Sequence, residues 1–132
     1  MIRVSLFACL LAVRIASPVL AEDIDCETAM AQQELNACAQ QDWEAADADL
    51  NDAYKRAMAE MKDMDANMPE DLQGAADALR DAQRAWITYR DANCLHAGFP
   101  MRGGSAEPLL VYGCMAQMTE DRTAELLDWL TY

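Results

Sequence analysis

The chain has 132 residues, with 23 acidic and 10 basic residues and a formal net charge of −13 at pH 7. This length supports one domain with one hydrophobic core. The negative charge argues against nucleic acids and anionic membrane surfaces as partners and favours association with a basic protein.

The first 21 residues have the pattern of a secretory signal peptide. A short basic start at Met1–Arg3 precedes the apolar run Val4–Val13, and Ala21 closes a small-residue cleavage site. Arg14 interrupts the apolar segment, which is too short to span a membrane because a span needs about 20 apolar residues. We therefore predict cleavage near Ala21, export to the periplasm or the medium, and a mature domain at 22–132 without stable membrane insertion.

Cleavage would make the protein more acidic. The signal segment contains two arginines and no acid, so the mature chain would have 8 basic and 23 acidic residues and a net charge of −15.

Three helices are predicted from apolar residues that recur at steps of three and four. The first covers Ala31–Ala66, where no glycine or proline interrupts the pattern. The second begins at Pro69, which suits a first helical position, and stops at Gly98. The third is capped by Ser105 and continues without a break over the remaining apolar stripe.

The predicted fold is all-α. No strand pattern or internal repeat is present in the sequence. Short connections between helices imply antiparallel neighbours, so we predict an up-down-up bundle of three long helices. The start of the first helix, the end of the second and the start of the third then share one end. We call this end the disulfide pole, because all four cysteines of the mature chain fall near it.

Four cysteines in a small exported domain predict two disulfides. We expect the sequential pairing of Cys26 with Cys38 and of Cys94 with Cys114. The first pair requires the residues after Cys26 to double back along the helix, which a few extended residues can do. Cys38 and Cys94 lie at similar heights, so a crossed pairing stays open. A metal site is the weaker interpretation, because the sequence has no Cys-x-x-Cys motif.

The segment Ala82–Cys94 concentrates aromatic and charged residues in little more than three helical turns. Its Trp86 and Tyr89 are expected in the core. The bundle register brings an aspartate of the first helix level with arginines of the second and third, which predicts a buried ion pair between helices. The second-helix partner is either Arg84 or Arg90. We interpret the group as a structural clasp rather than a polar binding site. Its members are Asp47, Arg84, Trp86, Arg90 and Arg122.

The sequence lacks the usual signals of an enzyme. His96 is the only histidine, so the residues for a histidine triad or a histidine-based metal site are missing. Gly103-Gly104 alone is too weak a signal for a phosphate-binding loop. We predict a non-enzyme with no cofactor and no metal.

The best candidate for partner binding is the Gly/Pro-rich loop Phe99–Ser105 at the disulfide pole. Exposed apolar side chains on a disulfide-braced loop are typical of binding epitopes. A loop folded onto the end of the bundle fits the composition equally well. The predicted partner-binding residues are Phe99, Met101, Arg102, Gly103, Gly104 and Ser105.

Five blocks of the sequence together resemble the lysozyme inhibitor LprI-like (N-terminal) domain family. They read CETAMAQQELNACA, AADADLNDAY, LRDAQRAWITYRDANC, GGSAEP and MTEDRTAEL, and they lie within Cys26–Leu126. The family pattern usually has Thr-Gln at the start of the first helix. Here Ala31-Gln32 replaces it, so the Ser/Thr of a capping box is lost while Glu34 remains.

The resemblance implies an exported bacterial helical protein, in a family named for a member that inhibits lysozyme. We therefore expect a protein-binding helical domain whose partner is a basic lysozyme or muramidase. The alternative is a non-inhibitory periplasmic structural or envelope-stress module with another protein partner.

Overall fold

The structure, a computed structural model, describes residues 24–131, and over this range it contains α-helices and short 3₁₀ turns but no strand. Helix α1 spans Gln32–Ala66, α2 spans Ala75–Ala97 and α3 spans Glu107–Trp129. The predicted all-α bundle of three helices is confirmed. The predicted signal peptide and its cleavage site at Ala21 lie outside the described residues.

Small residues let α1 and α3 approach closely, and these two helices form the largest interface of the bundle. On α1, Ala39, Ala46 and Ala53 are buried at intervals of seven residues, and on α3 Ala116 is buried. A seven-residue interval keeps the same face of a helix turned toward its neighbour. The alanines therefore form a continuous seam along α1.

Apolar side chains of all three helices pack together in the core next to this seam. Leu50 and Ala57 of α1, Leu79 of α2 and Leu126 of α3 belong to one buried cluster, and Leu126 is completely buried. Burying one leucine side chain stabilises the fold by about 1.5–3 kcal/mol. All three helices contribute to this cluster, so none of them buries its apolar face alone.

Helix α2 begins at Ala75, so the prediction that it begins at Pro69 was wrong. Pro69 instead precedes the 3₁₀ turn Glu70–Leu72, after which the chain is extended at Gln73. Gly74 then has φ = +138°, a conformation that side-chain-bearing residues rarely adopt. Gly74 therefore lies just before the first residue of α2.

The free N–H groups at the start of α2 are bound by the end of α1. The Asp65 carboxylate accepts hydrogen bonds from the backbone N–H groups of Gly74, Ala75 and Ala76, at 2.9, 2.8 and 3.0 Å. These three bonds lower the pKa of Asp65 below its ordinary value. Asp65 thus acts as a helix cap supplied by the preceding helix.

The other two helix starts also differ in detail from the prediction. Helix α3 follows Ala106, and no side chain caps it, so the assignment of Ser105 as the cap was wrong. At α1 the Glu34 carboxylate accepts hydrogen bonds from the backbone N–H groups of Met30 and Ala31, at 3.2 and 3.1 Å. Half of a capping box therefore remains in use. The continuity of α3 is confirmed.

The two disulfides join Cys26 to Cys38 and Cys94 to Cys114, with Cα–Cα distances of 5.6 and 5.4 Å. The sequential pairing is confirmed, and the crossed alternative is not formed. Cys94 is completely buried, whereas Cys26 is exposed on a turn that doubles back toward α1. Disulfides persist in oxidising compartments, which indicates an extracytoplasmic location.

Candidate binding surface at the disulfide pole

The loop after α2 leaves the helix through a tight contact with α3. A Cβ atom at Gly98 would lie 2.6 Å from the Cγ2 atom of Val111 and 3.3 Å from the Cγ atom of Glu107. Glycine therefore permits this approach, and its backbone is otherwise helical, with φ = −74°. The chain continues into the 3₁₀ turn Phe99–Met101. The loop thus starts as ordered structure packed on the first turns of α3.

Glu107 holds the next part of the loop. Its carboxylate accepts a hydrogen bond from the backbone N–H of Gly103 at 2.7 Å and one from the Arg102 guanidinium at 2.6 Å. The Gly103 bond is the main cause that lowers the pKa of Glu107, and Arg102 adds to it. Gly103 has φ = +75°, which favours glycine. One carboxylate therefore fixes both the backbone and a side chain of the loop.

A third contact ties the loop to α1. The side-chain amide of Asn36 donates a 2.8 Å hydrogen bond to the backbone carbonyl of Ser105. Ser105 thus contributes its main chain to this contact. At Gly104, a Cβ atom would lie 3.1 Å from the Met101 carbonyl oxygen. Gly104 thus packs within the loop and Ser105 is tied to α1, although both are exposed.

The ordered loop presents apolar side chains to solvent. Phe99 is 53% exposed and Met101 is 50% exposed, and Leu95 in the last turns of α2 is 48% exposed. The Arg102 guanidinium lies over the Phe99 ring at 5.0 Å, and the His96 ring lies 6.3 Å from it. We call this surface the pole patch. It comprises Leu95, His96, Phe99, Met101 and Arg102.

Leu95 and His96 were not among the residues predicted for this surface. The available signal was the helical spacing of His96 and Phe99, which are three residues apart and lie together where α2 passes into the 3₁₀ turn. A preorganised surface of this kind binds at lower entropic cost than a mobile loop. Its mixture of aromatic, Met and Arg side chains is typical of interface centres.

The predicted clasp is centred on Arg90, whose side chain is only 7% exposed. Its guanidinium lies 2.9 Å from Asp91 and 3.4 Å from Asp47, and it donates a 3.3 Å hydrogen bond to Thr119 of α3. The guanidinium also lies over the Trp43 and Trp86 rings, at 5.7 and 5.1 Å. Arg90 therefore contacts all three helices.

Arg122 forms a second buried polar contact between α2 and α3. It donates a 3.1 Å hydrogen bond to Gln83 and pairs with Glu125 at 2.7 Å, and its guanidinium lies 5.2 Å from the Trp129 ring. The Arg122 side chain is 6% exposed. Both arginines are thus built into the interior of the bundle, away from the pole patch.

Two residues of the segment Ala82–Cys94 lie elsewhere than expected. The Arg84 side chain is 74% exposed, and its nearest acid is Asp81 at 3.9 Å, so Arg84 does not join the clasp. Tyr89 is 61% exposed rather than in the core. Only one face of α2 turns toward α1 and α3, and Arg90 and Cys94 lie on it.

The described residues form an exposed surface at the disulfide pole and buried polar contacts that join the helices. Over residues 24–131, no group of three or more His, Cys, Asp or Glu side chains is arranged to hold a metal ion. Over the same range, no helix combines the length and apolar character required to cross a membrane.

Comparison with known proteins places this geometry in a family. The family model described as lysozyme inhibitor LprI matches residues 25–126. An uncharacterized protein of Rhizobium meliloti (strain 1021) is 51% identical over 107 residues, which cover 79% of this chain and 77% of the relative. No solved structure matches the chain.

Proposed function

The chain belongs to the lysozyme inhibitor LprI family, and from this premise we propose that it is an exported protein-binding domain that inhibits a lysozyme through its pole patch. The family match over residues 25–126 is the observation that carries the proposal. In this proposal the chain has no catalytic role, cofactor or metal. It acts by occupying a surface of its partner.

The structure supports the pole patch as the contact for two reasons. First, half-exposed Phe99 and Met101 offer apolar area on a loop held by Glu107 and by the Cys94–Cys114 disulfide. Second, binding such a loop orders little that is not already ordered, so less of the interaction free energy is lost. Phe99, Met101 and Arg102 would carry most of the binding energy, as aromatic and arginine anchors usually do.

The acidic charge supports a basic partner. The net charge is −13 for the whole chain. Opposite charges accelerate encounter, and this effect weakens as salt increases. Common lysozymes are basic, so charge would steer the two proteins together while the pole patch would fix the complex.

The test is an inhibition assay of c-type and g-type lysozymes on bacterial cell walls. The wild-type protein should inhibit at least one of them in low salt. The variant Phe99→Ser with Met101→Ser should need at least about tenfold more protein, because it removes two anchors. The matched control is Leu72→Ser with Met68→Ser, which changes exposed apolar residues between α1 and α2.

Three outcomes separate the alternatives. Inhibition by wild type and control, with loss in the pole variant, supports the proposal. Equal inhibition by all three proteins contradicts the role of the pole patch. No inhibition at high molar excess contradicts the inhibitor function. Specific recovery of an endogenous envelope protein would then favour the non-inhibitory interaction module.

A further inference from the structure

A groove runs along the outer side of the seam between α1 and α3. Three adjoining depressions of about 220, 350 and 270 Å³ form it and share Asp49 as a lining residue. On α1 it extends from Asp42 to Arg56. At 1.5 Å per residue this is about 21 Å, or roughly four helical turns.

The floor of the α1/α3 groove is made of small residues. Ala45 and Ala46 contribute from α1, and Gly113, Ala116 and Ala124 contribute from α3. On α3 these residues follow helical spacing, and on α1 Ala53 lines the groove seven residues after Ala46, so the floor continues from turn to turn. A shallow channel between parallel helices has the shape into which another helix packs in a four-helix bundle.

Gly113 leaves the channel open, although packing among the described residues does not require a glycine at this position. It lies inside α3, where glycine is less favourable than alanine. A Cβ atom there would meet no atom within 4 Å, so no close approach within the described residues calls for glycine. A side chain at this position would enter the groove. The glycine therefore keeps space free at the expense of helix propensity.

The rim of the groove is acidic, and three of the four acids that line it within residues 24–131 are unpaired. Asp42, Asp49 and Glu120 are exposed, and within residues 24–131 none of them forms a salt bridge or a side-chain hydrogen bond. The fourth, Asp52, pairs with Lys55 at 2.9 Å. Within residues 24–131, Arg56 is the one basic residue that lines the groove. It lies at the end of the groove far from the disulfide pole.

We propose that the α1/α3 groove is a second docking surface, which binds a basic amphipathic helix of a partner protein. Small apolar residues of that helix pack on the alanine and glycine floor. Its lysines or arginines, spaced one heptad apart, reach Asp42 and Asp49 on one side and Glu120 on the other. A second copy of this chain is disfavoured as the occupant, because it would bring further negative charge to an acidic rim.

The groove lies along the sides of α1 and α3, whereas the pole patch lies at one end of the bundle. The two surfaces can therefore act independently. The proposal therefore does not require inhibition of a lysozyme. If the inhibition assay fails, binding of a basic helix to the groove still stands or falls by its own measurement.

The probe is a fluorescent synthetic peptide of about 18 residues, with alanine and leucine along one helical stripe and flanking lysines one heptad apart. Binding is measured by anisotropy on protein purified with both disulfides formed. Two changes are made to the groove. Asp42→Asn, Asp49→Asn and Glu120→Gln together remove the rim charges, and Gly113→Gln fills the channel without changing any charge.

Each groove variant has a matched control. Glu60→Gln, Glu70→Gln and Asp71→Asn remove three charges from exposed positions outside the groove. Ala85→Gln adds the same side chain to an exposed position on α2. Thermal unfolding of every variant establishes that it is folded at the temperature of the binding measurement.

We expect the peptide to bind wild type and both controls alike. The rim variant should bind the peptide about tenfold more weakly than wild type, as the loss of three exposed ion pairs predicts. The affinity of Gly113→Gln for the peptide should be no higher than that of the rim variant. Wild-type affinity in Gly113→Gln, or equal weakening in the rim variant and its charge control, would overturn the proposal. Sedimentation that shows a wild-type dimer abolished by Gly113→Gln would assign the groove to a second copy and overturn it as well.

Discussion

Arg90 shows why a buried charge in this bundle is an arginine. Its planar guanidinium lies over two tryptophan rings while its N–H groups reach Asp91, Asp47 and Thr119. Lysine has a compact ammonium and could not make both kinds of contact in this geometry. The residue thus links three helices through directional bonds as well as packing.

Removing this side chain should strongly destabilise the bundle. Arg90→Ala leaves a cavity beside the tryptophan rings and the buried Thr119 hydroxyl without its partner, whereas Asp47 and Asp91 are partly exposed to solvent, so the free energy of unfolding should fall by about 2–4 kcal/mol. The exposed Arg84→Ala should change it by about 0.5 kcal/mol or less. Urea unfolding of the two variants measures both values. Similar losses in both would contradict the assignment of Arg90 to the clasp.

Two glycines should respond in opposite directions to alanine. Gly98→Ala forces a methyl group against the β-branched Val111, so it should destabilise the protein by about 1–3 kcal/mol. Gly113→Ala meets open space inside a helix and should stabilise it by about 0.5–1 kcal/mol. Thermal unfolding tests both signs. A neutral Gly98→Ala would show that α3 can move away from the loop.

The sequence could place an aspartate of α1 level with arginines of α2, but it could not choose between Arg84 and Arg90. The two positions differ by about 120° around a helix. The choice depends on which face of α2 turns toward its neighbours, and that face is fixed by packing of residues such as Leu79 and Cys94. The same rotation leaves Tyr89 in solvent.

At the scale of the helices, the capping of α2 is the main departure from prediction. The three terminal N–H groups of α2 bind a carboxylate that belongs to α1, nine residues before Gly74. Capping rules look for a polar residue directly before a helix. Asp65 lies outside that window, so the sequence pointed to Pro69, where only a 3₁₀ turn begins.

Asp65→Asn tests this cap through pH. Because folding lowers the pKa of Asp65, its charge stabilises the fold above the unfolded pKa of about 3.9, and this contribution disappears as pH falls through the lower folded pKa. The variant should therefore unfold at a lower temperature than wild type near neutral pH. The difference should shrink as the solution is acidified below about pH 4.

The control for this experiment is Asp71→Asn, which changes an exposed acid in the neighbouring turn. It should unfold close to the wild-type temperature at each pH. A difference between wild type and Asp65→Asn that stays constant down to strong acid would contradict the role assigned to the Asp65 charge.

For the whole molecule, the three-helix architecture and the presence of two disulfides followed from periodicity, short connections and cysteine count, whereas only the structure excluded the crossed pairing. These signals are local, and each helix repeats its pattern over many turns. Exposure of the loop could not be predicted in the same way, because Phe99 and Met101 could equally pack on the bundle end. The Glu107 carboxylate holds the loop outward through Arg102 and Gly103. The position of these residues depends in turn on the close approach of Gly98 to Val111 of α3.

The Cys94–Cys114 disulfide should contribute strongly to overall stability. Its sequence separation is 20 residues, and a closed loop of this size corresponds to about 3 kcal/mol. Cys94→Ala with Cys114→Ala should lower the free energy of unfolding by about that amount, measured in urea without reductant. An unchanged value would contradict the assigned role of this bridge.

Export is tested on the intact chain. Expressed in a bacterial host with its own N-terminus, the protein should be recovered from the periplasm or the medium with Glu22 as its first residue. Mass spectrometry of the purified protein reads this directly. Protein retained in the cytoplasm with its first 21 residues would contradict the predicted signal peptide.

We propose that the pole patch contacts a lysozyme, and hydrogen exchange of the protein with and without the c-type or g-type lysozyme that it inhibits tests this claim most directly. Lysozyme in excess should slow amide exchange in the segment from Leu95 to Ser105 and leave the opposite end, around Met68–Gly74, unchanged. Unchanged exchange at the pole, or protection confined to another surface, would contradict the claim.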